Sequence, residues 1–314
     1  MVNIKGRVAS PRRPFSAIPA DGSASRSCRS VTIMNFDYEM VRQALREDIG
    51  TGDVTTLATV PETALASALM VAREPLVACG LPIAEAVFKE VSPALAVERK
   101  LADGQPAKRG QTLLSVRGSA RAVLTAERTA LNFAQRLTGV ATLTARFVEA
   151  VAGTRARILD TRKTTPGWRQ LEKYAVATGG GANYRFGLFD RILIKDNHLA
   201  ALRLEPPNAI EAAVRRARER YPQLEVEVEA DTLEQVEQAL RARADIILLD
   251  NMTVEDLRAA VWLVNGRAKT EASGGVSIAT VRSIAETGVD FISVGALTHS
   301  ARASDIALDF EELG

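Results

Sequence analysis

The chain has 314 residues, 46% of them hydrophobic and 25% charged, with a formal net charge of +2. That length builds one large or two modest globular domains, and the near-neutral balance excludes the strongly basic composition of a dedicated nucleic-acid or membrane-surface protein. No apolar run reaches the ~20 residues of a membrane-spanning helix, Cys28 and Cys79 lie too far apart for a metal-ligand pattern and read as reduced thiols, and only His198 and His299 offer imidazoles.

Residues 1–33 hold Lys5, Arg7, Arg12, Arg13, Arg26 and Arg29 against one acid, Asp21, and are rich in Ser and Pro. An acid-poor, Arg/Ser-rich start resembles a transit segment, but it has neither amphipathic periodicity nor an apolar core. The favoured reading is a disordered or mis-started extension, with Met34 as the natural start. Folded structure is expected from about Met34, where Phe36, Met40, Val41 and Leu45 recur at helical spacing and Gly50 and Gly52 stop the helix. Residues 57–118 alternate in short apolar runs, with ADGQPAKRGQ as a turn-rich connector, and predict a mixed α/β unit with an antiparallel sheet. Residues 119–150 predict one or two long helices, with Leu124, Leu131, Phe133, Leu137 and Phe147 at their apolar positions.

From residue 156 the rhythm becomes regular. Apolar strands recur as ARILD (156–160), RILIK (191–195), LEVEVEA (224–230), DIILLD (245–250), KTEAS (269–273) and DFISVG (290–295). Between several of them lie amphipathic segments: AIEAAVRRARERY, TLEQVEQALRAR, VEDLRAAVWLV and IATVRSIAETG. Thr232 and Gln235 form a capping box for the second of these. Alternation at this spacing implies parallel βα units with right-handed crossovers. Six such strands, with room for one more, point to a barrel. An open doubly wound sheet is the alternative, though no Gly-rich dinucleotide fingerprint follows a strand.

In a parallel barrel the C-terminal strand ends share one rim, where active sites of such folds lie. Here those ends deliver Asp160-Thr161-Arg162-Lys163, Lys195-Asp196-Asn197-His198, Glu229, Asp250-Asn251, Ser273-Gly274-Gly275 and Val294-Gly295-Ala296. The cations of DTRKTTPGWR then form one wall of a mouth that holds several negative charges. The two glycine-bearing ends let backbone N–H groups approach a phosphate, and SGGVSIATV is expected to run directly into a helix; the plainer reading is a tight βα turn. Glu229 and Asp250 end neighbouring strands. Either is ordinarily a cap or ion-pair partner, but in a cationic mouth the pair suits Mg²⁺ bridged to phosphates. Glu225 and Glu227 share the parity of Glu229, so the choice of ligand among the three stays open.

GGGANYR (179–185) carries Arg185, with Gly179–Gly181 expected to loosen the chain. Its alternatives are a flexible loop with a surface arginine and an aromatic–arginine pair for a planar anion. Trp168 reads as an anchor for its own loop rather than a stacking platform. His198 reads as a structural hydrogen-bonder, and His299 as the start of a helix beyond the final strand.

These segments, in this order, closely resemble quinolinate phosphoribosyltransferase, the decarboxylating nicotinate-nucleotide pyrophosphorylase family. DTRKTTPGWR, ATGGGANYRFGL, RILIKDNHL, EVEVEADTLEQ, DIILLDNM, EASGGV and ISVGALTHS carry the resemblance, with EDIGTGDVTT and AERTALNFAQRLTGVAT upstream. It spans about Met34 to the C-terminus. It implies an N-terminal α/β sandwich over 34–145, on which residues 297–314 pack, and an incomplete, roughly seven-stranded TIM-like α/β barrel over 146–296. It also implies a cytoplasmic homodimer in which Arg128 reaches the partner's site. Read without the resemblance, Arg128 is an ordinary exposed helix cation.

The implied reaction takes quinolinate and 5-phosphoribosyl-1-pyrophosphate to nicotinate mononucleotide, pyrophosphate and CO₂, with Mg²⁺. In that reading Arg162, Arg185 and the partner's Arg128 grip the two ring carboxylates, and Lys163 and Lys195 neutralise phosphate and pyrophosphate oxygens. Glu229 and Asp250 hold Mg²⁺. Ser273, Gly274, Gly275, Val294, Gly295 and Ala296 bind the 5′-phosphate, with Thr161 assisting. One departure is Tyr184, where the family commonly carries His; tyrosine keeps a hydroxyl and a ring but no group titrating near neutrality. Two alternatives are a related phosphoribosyltransferase with another acceptor, of the molybdenum-locus type, and a phosphate-ligand sensor on a barrel scaffold. A nucleic-acid role for the basic arm disagrees with the overall charge.

Overall fold

The computed structural model describes residues 38–311. The expected extension over 1–33, the Met34 start, Phe36 and Cys28 lie outside the described residues. In chain order the elements are helix α1 (Tyr38–Ile49), helix α2 (Val54–Thr59), strand β1 (Leu65–Ala72), strand β2 (Leu76–Val77), helix α3 (Leu81–Val91), strand β3 (Ala96–Arg99), strand β4 (Pro106–Ala107), strand β5 (Thr112–Ser119) and helix α4 (Ala120–Ala150). Then come β6 (Arg157–Leu159), α5 (Arg169–Thr178), β7 (Ile192–Ile194), α6 (Asp196–Ala201), α7 (Ala209–Arg220), β8 (Val226–Ala230), α8 (Leu233–Arg241), β9 (Ile246–Asp250), α9 (Val254–Val264), β10 (Lys269–Ser273), α10 (Val281–Ala285), β11 (Phe291–Ser293), α11 (Ala296–His299) and β12 (Ile306–Glu311).

The N-terminal sheet has the order β12-β1-β5-β3 and is antiparallel throughout. Its outer strand comes from the far end of the chain: Ser67 pairs with Glu311 and Ala72 with Ile306. Within 119–150, Ala120–Ala150 form one continuous helix of 31 residues, opened by the Ser119 hydroxyl accepting from Ala122 N. A helix that long survives because packing, not propensity, holds it. Part of α4 lies against α3 and the N-terminal sheet, and it also packs on α5 and β6.

The second sheet has the order β6-β11-β10-β9-β8-β7, with every pair parallel. All six strands coincide with the apolar runs read from the sequence. The additional strand shrinks to a single bridge: Ala182 pairs with Leu159 beside β6, with Asp160 N donating to Ala182 O and Ala182 N to Ile158 O. The two edges approach each other across the gap. Arg185 Nη1 donates to Arg191 O at 3.0 Å, and the Tyr184 hydroxyl donates to Glu227 of β8 at 2.8 Å. The sheet therefore curls into a barrel left open between residue 185 and β7.

Two local expectations change. Gly179–Gly181 do not loosen the chain: a Cβ on Gly179 would meet Ala141 O at 2.4 Å, and one on Gly181 would meet Thr144 Cγ2 at 2.8 Å. They are small so that the end of α5 can lie on α4. The segment after Ser273-Gly274-Gly275 does not run straight into a helix either. Ser277 N and Thr280 Oγ1 close a turn over 277–280, and α10 begins only at Val281. The capping box of α8 forms as read, with Gln235 N donating to Thr232 Oγ1 at 3.3 Å and Thr232 N to Gln235 Oε1 at 3.1 Å.

Candidate active site

Parallel strands put their C-terminal ends on one face, and several contacts tie those ends together. Lys195 Nζ lies 3.4 Å from Glu229 Oε2, joining the end of β7 to that of β8. Ser273 pairs with Asp250 in register, and Asn251 N donates to Ser273 O. A Cβ on Gly295 would lie 3.1 Å from Lys163 Cδ and 3.1 Å from His299 Nε2, so the loop after β6 meets the turn after β11. Thr298 Oγ1 donates to Lys163 O at 2.7 Å and fixes that meeting. The backbone at Gly274 has φ +99°, and a Cβ there would strike Asn251 Oδ1 at 2.1 Å, so this turn admits only glycine.

The loop 161–168 is built rigidly. Glu172, fully buried, accepts from Thr165 N and Thr165 Oγ1 and pairs with Arg136 of α4 at 2.6 Å. Trp168 stacks on Phe133 with centroids 5.0 Å apart, an anchor as expected. A cleft of about 450 Å³ opens beside it, between α1, α4 and residues 166–168, but it contains none of the rim cations.

Arg162 and Arg185 are the unusual groups. Arg185 is only 9% exposed, and the buried Nε atoms of both arginines have no hydrogen-bond partner. Burial pulls the Arg162 guanidinium below its ordinary range, and repulsion from Arg185 and then Arg169 pulls the same way. Crowded cations with buried, unsatisfied donors cost stability unless an anion joins them. The aromatic–arginine pair is present: the guanidinium carbons of Arg185 and Arg191 lie 5.8 and 5.3 Å from the Tyr184 ring centroid.

The three glutamates of β8 separate by depth. Glu229 is part-buried at the rim, Glu227 is fully buried, and Glu225 is exposed and paired with Arg191 at 2.8 Å. Glu229 and Asp250, both part-exposed carboxylates on adjacent strands, suit a hard cation that needs few protein ligands. No cluster of three or more His, Cys, Asp or Glu suited to a metal occurs among the described residues.

Not every strand-end residue is in the mouth. Asp160 is fully buried and pairs with Lys173 at 2.6 Å. Arg128 is exposed on α4 and shares no hydrogen bond or ion pair with any described rim residue of its own chain. His198 is structural, its Nδ1 accepting from Lys195 N at 2.9 Å. His299 does not start a helix; it closes α11 and lies beside Gly295 and Lys163. Sequence reasoning missed it because only the tight β11–α11 turn brings it back to the rim. Among the described residues no helix is long and apolar enough to cross a membrane.

Comparison with known proteins identifies the family and the fold. The model of the quinolinate phosphoribosyl transferase N-terminal domain matches residues 53–138, and that of the C-terminal domain matches residues 140–309. The two meet inside the continuous helix α4. The nicotinate-nucleotide pyrophosphorylase [carboxylating] of Mycobacterium leprae is 46% identical over 277 residues, covering 86% of this chain and 96% of that one. The chloroplastic enzyme of that name from Arabidopsis thaliana is 40% identical over 313 residues, 94% of this chain and 89% of the relative. The solved nicotinate-nucleotide pyrophosphorylase of Ehrlichia chaffeensis superposes with a TM-score of 0.84 at 41% identity, covering 89% of this chain and 100% of that one. On both domain matches and on these relatives, the chain belongs to the quinolinate phosphoribosyltransferase family.

Proposed function

We propose that the chain transfers the phosphoribosyl group of 5-phosphoribosyl-1-pyrophosphate to quinolinate with decarboxylation, releasing pyrophosphate and CO₂ and leaving nicotinate mononucleotide. The observation that carries this reading is the pair Arg162 and Arg185, close enough to repel each other and with buried Nε atoms that have no partner. A dicarboxylate supplies what that pair lacks, because carboxylates take guanidinium donors bidentately.

The pyridine nitrogen attacks the ribose carbon bearing pyrophosphate, that C–O bond breaks, and pyrophosphate leaves with the electron pair. No protein nucleophile takes part, so positioning and electrostatics supply the acceleration. Lys163 and Lys195 neutralise the phosphate and pyrophosphate oxygens. Ser273–Gly275 and Val294–Ala296 present backbone N–H groups to the 5′-phosphate, and Thr161 supports the loop, its Oγ1 accepting from Lys163 N at 3.0 Å. Loss of CO₂ from the adduct leaves an electron pair that the ring cation stabilises until water delivers a proton. Glu229 and Asp250 would hold Mg²⁺, which supplies positive charge to the pyrophosphate oxygens when bound. The site lies in the cytoplasm in this reading.

The direct test is release of labelled CO₂ from quinolinate. Release that requires 5-phosphoribosyl-1-pyrophosphate and Mg²⁺ is the expected result. No release from folded protein would transfer the site to a paralogue with another acceptor.

The exposed position of Arg128 fits a role across a homodimer interface. Arg128→Ala and Arg162→Ala proteins, each inactive alone, are expected to regain activity when mixed. Random exchange makes half the dimers hybrids with one intact site in two, so recovery should approach about one quarter of wild type. No recovery after exchange would place Arg128 outside the partner's site.

A further inference from the structure

Beneath the rim lies a buried acidic cluster that the proposed reaction does not use. Glu227 of β8 and Glu271 of β10 are 0% and 1% exposed. Glu227 Oε2 accepts from the Tyr184 hydroxyl at 2.8 Å, and the Ser293 hydroxyl donates to Glu271 Oε1. The remaining oxygens, Glu227 Oε1 and Glu271 Oε2, are buried without an ordinary donor, and the two carboxyl groups face each other.

The two partners of Glu227 are the two residues that hold Arg185. Tyr184 precedes Arg185 in the chain and presents its ring to the guanidinium. Arg191 lies 3.8 Å from Glu227 through Nη1, and its carbonyl oxygen accepts from Arg185 Nη1 at 3.0 Å. Glu227 thus pins the Arg185 guanidinium from both sides, across the open seam of the barrel. We propose that Glu227 is the positioning residue for Arg185, and that Glu271, backed by Ser293, holds Glu227 in place. Burial, reinforced by the Glu227 charge, pushes Glu271 up to about 8.

The inference rests on the reading of Arg162 and Arg185 as a quinolinate grip, and it predicts selective damage. Quinolinate titrated by calorimetry into full-length Glu227→Ala should bind about tenfold more weakly than to wild type, while the KM for 5-phosphoribosyl-1-pyrophosphate moves less than about threefold. Glu227→Gln keeps both an acceptor for Tyr184 and a donor for Glu271, so it should stay within about threefold of wild type. A Glu227→Ala protein that is folded and binds quinolinate normally, or loses both substrates equally, would overturn the proposal. So would a Glu227→Gln protein as weak as the alanine variant. Where Glu227→Ala fails to fold, Tyr184→Phe decides, since it removes only the hydroxyl: unaltered quinolinate affinity sinks the proposal, and selective weakening supports it. A wild-type chain that neither binds quinolinate nor releases CO₂ removes the functional reading and this inference with it. An active wild type with unaltered variants removes the inference alone.

Discussion

Replacing Arg162 by alanine is expected to lower CO₂ release from quinolinate by about 10²–10³-fold or more, the usual cost of deleting a preorganised charge-stabilising donor, without lowering the melting temperature. The second half of that expectation is the sharper. Arg162 sits against Arg185 and Arg169, its buried Nε has no partner, and burial already disfavours its charge. Removing it relieves repulsion in the free protein and leaves no acceptor stranded, so stability should hold or rise. Sites tuned for a ligand commonly oppose stability in this way. Arg162→Lys should not rescue turnover, because an ammonium cannot reproduce the planar fork. A variant that loses activity only in proportion to lost fold, followed by circular dichroism, would mean that Arg162 is structural.

Much of this site was readable from the chain because two regularities combine. Apolar runs alternating with amphipathic segments identify parallel βα units, and parallelism alone gathers the strand ends on one rim. That places Arg162, Lys163, Lys195, Glu229, Asp250, Ser273 and Gly295 together before any coordinate is known. Depth along the barrel was not readable. Glu225, Glu227 and Glu229 share parity, and only the stagger of neighbouring strands exposes the first, buries the second and lifts the third to the rim. Asp160 looked like a mouth residue because it follows a strand, yet the bridge at Ala182 covers it. A strand reduced to one bridge has no periodicity to detect. Contacts across the seam, Tyr184 with Glu227 and Arg185 with Arg191, join residues whose separation no local pattern encodes.

The second large effect is expected at the ion pair that seats this covering segment. Lys173 and Asp160 side chains are 3% and 0% exposed and meet at 2.6 Å. Lys173 also donates to Tyr184 O at 2.9 Å, and Asp160 Oδ1 accepts from Tyr184 N at 2.7 Å, so the pair clamps the residue before Arg185 by both its backbone groups. Burial pushes Asp160 up to about 6 and pulls Lys173 down, while each partner's charge resists the change in the other. Lys173→Met strands the carboxylate and should cost about 3–5 kcal/mol, the usual result of breaking a buried pair on one side. The deficit should depend on pH with a definite sign. A carboxyl whose folded pKa is raised contributes stability that is fully present below its unfolded value, near 3.8, and is lost as pH rises through the folded value. In wild type that loss falls between about 3.8 and about 6. Without Lys173 the folded value climbs further, so the variant keeps losing stability above pH 6 where wild type no longer does. Urea melts of both proteins should therefore converge toward pH 4 and separate toward pH 8. The double variant Lys173→Met, Asp160→Asn should recover part of the loss at pH 8, since it removes the stranded charge along with its partner. A gap independent of pH would mean that Lys173 acts through packing alone.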